Sequence, residues 1–128
     1  MTPVQEQFEE LKNDERYKDA VLQGLPDGSF VVTIPNVVTG PKWSVPTTTV
    51  RFHVPVQYPT ARPDCFWTDA ALLLEGGRVP QNTGENALPG GTNVPLRWFS
   101  WHVTHWSPND DTLTTYLNVI RNRFADPR

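Results

Sequence analysis

Two short blocks, far apart in the chain, constrain the fold more than any other feature. The first is an alternating segment, Phe52–Val56, that runs into Tyr58-Pro59 and, a few residues later, into Arg62-Pro63. The second is Trp106-Ser107-Pro108, which leads directly into an amphipathic segment. Because proline is excluded from the interior of helices and of central strands, each block marks a boundary between elements. The blocks therefore predict a strand that stops at a proline turn and a helix that starts after another.

Hydrophobic periodicity predicts a helix at each end of the chain. Thr2 is a suitable N-cap, Pro3 fits the first helical position, and apolar residues follow at helical spacing (Val4, Phe8, Leu11). A weaker helical segment is predicted over Arg16–Leu22, ended by Gly24 and the Pro-Asp-Gly turn after it. The last helix is predicted over Asp110–Phe124. Its acidic start suits the positive end of a helix, and its apolar residues form one stripe (Leu113, Tyr116, Leu117, Ile120, Phe124).

Alternation of apolar and polar residues predicts the strands between these helices. They are Ser29–Ile34, Thr47–Val56 and a short strand, Cys65–Thr68, and Leu96–Val103 is expected to be extended. In the second strand the residues expected to face the core are Val50, Phe52, Val54 and Val56. A loop rich in Gly, Pro and Asn separates the last two segments.

This order of elements predicts an α+β fold in a single domain, residues 1–128. We expect the three strands to pair in sequence order as an antiparallel meander covered on one face. The last helix should pack its Leu113, Leu117 and Ile120 side on that sheet. A chain of this length buries enough surface to need no disulfide, and its single cysteine excludes an intramolecular one.

Composition excludes several classes of function. The net charge of -3, without a cluster of Lys or Arg, argues against a nucleic-acid partner. No apolar stretch approaches the roughly 18 residues that a membrane span needs. The N-terminus lacks the basic start and apolar run of a signal peptide, so we expect a cytoplasmic protein.

In their order along the chain, the two blocks resemble the ubiquitin-conjugating enzyme fold. The chain is similar to a compact, divergent bacterial member of that superfamily, of the prokaryotic family E type. The resemblance implies an N-terminal helix, an antiparallel meander sheet, a long active-site loop and a C-terminal helix. It also implies an acyltransferase that accepts a ubiquitin-like protein from an activating-enzyme homologue as an acyl intermediate and passes it to a target. A deconjugating peptidase of the same pathway is a further expected partner, and no cofactor is implied.

The chain departs from that superfamily at the nucleophile. The position about eight residues before the tryptophan, where the superfamily carries its cysteine, is Trp98, and the usual His-Pro-Asn motif is absent. Ser100 is the nucleophilic side chain in this neighbourhood, with His102 or His105 as its general base. A serine nucleophile would make the intermediate an oxygen ester. The alternative nucleophile is Cys65, whose apolar neighbours favour a buried, inert thiol.

Other residues carry weaker expectations. Asn82 and Asn93 are equal candidates for the oxyanion donor that acyl transfer requires. On the first helix, the resemblance implies that an activating enzyme docks on a surface that includes Phe8, Glu9 and Lys12. No metal site is expected, because the segment that holds the two histidines supplies no clear third ligand.

Two further classes of function stay open. The fold could serve as a catalytically inactive module that binds a ubiquitin-like protein or a partner subunit. A small serine hydrolase based on Ser100 ranks last, because the chain lacks a Gly-x-Ser-x-Gly elbow.

Overall fold

A helix at each end and a six-stranded antiparallel sheet between them make up the structure, a computed structural model that describes residues Met1–Arg128. Helix α1 spans Pro3–Lys12 and helix α2 spans Leu113–Phe124. The strands are β1 (Val21–Gly24), β2 (Phe30–Val38), β3 (Thr47–Val54), β4 (Phe66–Asp69), β5 (Thr83–Gly84) and β6 (Leu96–Phe99). Their spatial order is β1-β2-β3-β4-β6-β5, which confirms the α+β class and the meander of the three predicted strands. No helix combines the length and the apolar character that crossing a membrane requires.

Helix α1 begins as its sequence predicts. The Gln5 N–H donates to the Thr2 hydroxyl at 3.2 Å, and the Thr2 N–H donates to the Gln5 side-chain oxygen at 2.9 Å, which completes a capping box. Phe8 is buried in the core, whereas Glu9 and Lys12 are exposed. Phe8 therefore cannot belong to a docking surface, and this part of the predicted partner site is wrong.

The predicted helix over Arg16–Leu22 is also wrong. Only Glu15–Tyr17 is helical, as one 3-10 turn, and the chain then enters β1. Val21 pairs with Thr33 and Gly24 with Phe30, so the segment gains a ladder of backbone hydrogen bonds at the edge of the sheet. An isolated helix of this length is marginal in water, and pairing with β2 stabilises the extended form instead.

Three predicted boundaries shift for identifiable reasons. Strand β2 continues past Pro35 through a bulge in which Asn36 has a φ of 59°. Strand β3 ends before Pro55, so Val56 is 53% exposed and does not face the core as predicted. Helix α2 begins at Leu113, because the carboxylates of Asp110 and Asp111 accept hydrogen bonds from Ser107 and form a turn.

The core lies between the two helices and one face of the sheet. Leu113, Leu117 and Ile120 of α2 are buried there, as predicted, and Phe66 stacks on Phe99 with ring centroids 4.6 Å apart. The opposite face carries a smaller cluster of Val31, Trp67 and Leu88. Leu88 belongs to the loop between β5 and β6, and the Trp67 indole N–H donates to the Asn86 carbonyl of the same loop at 2.8 Å. The loop thus covers part of the face that the sequence predicted to be open.

The two blocks that define the sequence contact each other. The Trp106 indole N–H donates to the Pro59 carbonyl at 2.7 Å, and the Tyr58 and Trp106 rings lie 5.8 Å apart. The Gln7 side-chain oxygen accepts hydrogen bonds from the Tyr58 hydroxyl and, at 3.1 Å, from the Leu113 N–H. These contacts link α1, the turn after β3 and the start of α2.

Candidate active site

The β4–β6 ladder brings the two candidate nucleophiles into one neighbourhood. Its last pair is Phe66 with Phe99, so the next residues outward are Cys65 and Ser100. The ladder breaks here, because Cys65 has a φ of 65° and its N–H donates to the Trp101 carbonyl at 3.2 Å. Cys65 therefore precedes the strand instead of beginning it. It is half-buried, so the expectation of a buried thiol is corrected by this turn of the backbone.

A thiol, an imidazole and a carboxylate meet at this point. The His102 Nδ1 atom is hydrogen-bonded to the Asp64 carboxylate, and their side chains are 54% and 57% exposed. The Cys65 Sγ atom, one ring nitrogen of His102 and one carboxylate oxygen of Asp64 all lie within 4.8 Å of one another. A carboxylate that holds an imidazole beside a thiol is the arrangement of a nucleophile, a base and an orienting group.

The surroundings of Cys65 favour its protonated form. Burial, followed by the negative charge of Asp64, raises the pKa of the Cys65 thiol above its ordinary value. The Trp98 indole N–H is buried without a hydrogen-bond partner, and its proximity to the sulfur opposes this rise in pKa as the smallest of the causes. The thiol therefore needs a base before it can act as a nucleophile at neutral pH.

The other predicted residues are only partly gathered here. The Ser100 N–H donates to the Asn82 carbonyl at 2.8 Å, so Asn82 lies beside the site, with a φ of 61°. The Ser100 hydroxyl makes no hydrogen bond to either imidazole. Asn93 is exposed in the loop whose Leu88 packs on the opposite face of the sheet. His105 lines a cleft of about 400 Å³ between the segment after β6 and α2, and His102 lines the same cleft.

Two residues of this neighbourhood were not predicted from the sequence. Asp64 carries no local signal, because its contact with His102 spans 38 residues of chain. Arg123 is fully buried, lies over the Trp101 ring at 5.2 Å, and donates to the Gln81 carbonyl at 3.0 Å. The available signal for Arg123 was its spacing, since it follows Ile120 by three positions on the apolar side of α2. The expectation that no third metal ligand lies near His102 counted only residues close to it in the chain. Asp64 and Cys65 come from a distant segment.

Comparison with known proteins agrees with this architecture. No curated protein and no solved structure matches the chain. The family model described as prokaryotic E2 family E matches residues 10–126, which include every strand, the whole of α2 and the cluster around His102. Such proteins act in ubiquitin-like conjugation together with an activating enzyme and a ubiquitin-like protein. On the extent of this match, the chain belongs to prokaryotic E2 family E.

Proposed function

We propose that this chain carries a ubiquitin-like protein as a thioester on Cys65 and transfers it to a target amine. His102 is the group that takes and returns the proton, and Asp64 orients its ring. The observation that carries the proposal is the meeting of the three side chains within 4.8 Å. Ser100 has no comparable base, and a thiol is intrinsically the better nucleophile.

The reaction consists of two acyl substitutions. In the first, the Cys65 sulfur attacks the carbonyl carbon of the acyl group held by the activating enzyme. The bond to the activating enzyme's carrier atom breaks, and the thiol proton of Cys65 passes through His102 to that leaving atom. In the second, a target amine attacks the same carbon, the C–N bond forms and the C–S bond breaks. His102 takes the proton that the amine loses and gives it to the departing Cys65 thiolate.

The raised pKa of Cys65 supports a carrier role. A thiol of high pKa is a poor leaving group, so its thioester reacts slowly with water, with stray thiols and with amines unless the departing sulfur is protonated, which is the task proposed for His102. The same property makes the free thiol unreactive until His102 accepts its proton. Asn82 remains the candidate for the oxyanion donor, because its carbonyl accepts the N–H of Ser100, the residue across the end of the β4–β6 ladder from Cys65, and its side-chain amide is left free to donate.

The direct test is to charge the protein with a ubiquitin-like protein, an activating-enzyme homologue and ATP, and to run the products on gels with and without reductant. The wild type should give an adduct that reductant removes. Cys65→Ala should abolish it, Cys65→Ser should give an adduct that resists reductant, and Ser100→Ala should behave as the wild type. His102→Ala should slow charging by about 100-fold or more.

The opposite pattern would overturn the assignment. An adduct that survives Cys65→Ala but is lost in Ser100→Ala would place an oxygen ester on Ser100. The absence of any adduct, combined with tight non-covalent binding of the ubiquitin-like protein, would identify an inactive binding module. Circular dichroism of each variant separates a loss of chemistry from a loss of fold.

A further inference from the structure

We propose that Asp64, Cys65 and His102 form a binding site for Zn²⁺, with one coordination position left to solvent. The three side chains offer one oxygen, one sulfur and one nitrogen donor, all within 4.8 Å of one another. Two of the donors come from the segment before β4 and the third from the segment after β6. Two backbone segments joined by the Cys65 N–H bond to the Trp101 carbonyl therefore hold the site together.

The spacing of the donors fits a tetrahedral zinc ion after a small adjustment. Zinc takes sulfur at about 2.3 Å and nitrogen or oxygen at about 2.0–2.2 Å, which separates tetrahedral ligands from one another by roughly 3.5 Å. The His102–Asp64 contact would open to admit the ion, and the sulfur would move toward it. The His102 and Asp64 side chains are more than half exposed, so the ion can enter from solvent and these side chains are free to move.

The chemistry of the donors favours zinc over the common hard cations. Calcium and magnesium select oxygen ligands, whereas a thiolate with an imidazole suits zinc. A second observation comes from Trp98, whose buried indole N–H has no hydrogen-bond partner and lies near the sulfur. A donor in that place can hydrogen-bond to a metal-bound thiolate, as outer-shell groups of metal sites commonly do.

Bound zinc would block the chemistry of the same side chains. The thiol proton of Cys65 passes to the buffer as the S–Zn bond forms, and the sulfur and the imidazole are then no longer available to the acyl group. Zinc would thus act as a reversible inhibitor of charging. This consequence rests on the proposed function, whereas the binding of the metal does not.

The experiment is a calorimetric titration of the tag-free full chain with Zn²⁺, paired with Co²⁺ absorption spectroscopy. The wild type should bind one ion, and its Co²⁺ complex should show a thiolate-to-metal charge-transfer band. Cys65→Ser and His102→Gln should each weaken binding by at least about 100-fold, and Asp64→Asn by at least about tenfold. His105→Gln, which removes the nearest histidine outside the cluster, should leave the affinity unchanged.

Several results would overturn the site. They are binding of less than one ion per chain, a Co²⁺ complex without the charge-transfer band, or equal effects of His105→Gln and His102→Gln. Charging is then measured separately in the presence of a chelator. Zinc binding without any charging would retain the metal site and reject the proposed function. Charging without zinc binding would retain the proposed function and reject the metal site.

Discussion

Replacing Arg123 by methionine should destabilise the protein strongly, because this arginine is part of the core. Its side chain is 1% exposed. The guanidinium donates to the carbonyls of Gln81, Asp126 and Arg128 at 3.0, 2.8 and 2.8 Å. It also lies 5.2 to 5.6 Å from the rings of three aromatic residues, Trp43, Phe99 and Trp101. Arg123 therefore links α2 to the loop before β5 and to the C-terminal segment. It also contacts Trp101, the residue that precedes His102.

The magnitude follows from these contacts. Hydrogen bonds from a charged donor contribute about 1.5–3 kcal/mol each, and the lower figure applies here because the three acceptor residues are exposed and water can replace the donor. Three such bonds amount to about 4.5 kcal/mol. Removing a charge whose burial is costly, as the lowered pKa of Arg123 indicates, returns on the order of 1–2 kcal/mol. Methionine keeps the packing of the stem on the rings, so the expected net loss is about 3 kcal/mol, or roughly 10 °C in Tm.

Urea unfolding, followed by the fluorescence of the five tryptophans, measures this loss. Arg121→Met is the matched control, because Arg121 lies on the same helix and is exposed, and it should change the unfolding free energy by less than about 0.5 kcal/mol. Arg123→Lys should cost at least as much as Arg123→Met, since an ammonium keeps the buried charge but cannot form the fork. Wild-type stability in Arg123→Lys would refute the reasoning, because the charge alone would then be sufficient.

Three further predictions concern charge. Asp64→Asn should speed the alkylation of Cys65 by iodoacetamide at pH 8, because it removes a charge that raises the thiol pKa, yet it should slow charging by releasing the His102 ring. Asp110→Asn is the control and should change neither rate. If Asp64→Asn changes both rates in the same direction, the orienting role of Asp64 is contradicted. Burial lowers the pKa of His53, so the folded state binds fewer protons than the unfolded state below the ordinary value of 6.5, and the unfolding free energy should fall from pH 7.5 to pH 5.5. His53→Gln should flatten that fall, and an unchanged slope would assign it to other groups. Reversing the charges of the exposed Glu9 and Glu10 should slow charging at low salt through the association rate, and identical kinetics would remove α1 from the docking surface.

The parts of the fold that the sequence predicted are those in which local pattern and tertiary packing agree. Alternation through Val50, Phe52 and Val54 places three side chains on one face, and all three are buried. The stripe of α2 is buried for the same reason. A helix was predicted where β1 begins, because a four-residue edge strand shows almost no alternation of apolar and polar residues. The pairing of β1 with β2 that stabilises it is a non-local contact. Strand β5, with two residues, leaves no pattern to detect.

The candidate site could not be predicted from chain position, because its chemistry is assembled across a strand ladder. The superfamily's nucleophile position falls here on Trp98, which pairs with Trp67, two residues from Cys65. One strand spacing of about 4.8 Å and two residues of about 3.3 Å each put the two positions roughly 8 Å apart. An extended acyl tail covers that distance with two or three residues. In the proposed function, a partner docked beside Trp98 would reach Cys65 across this distance, and Trp98 lies close enough to Cys65 to oppose the rise of the thiol pKa.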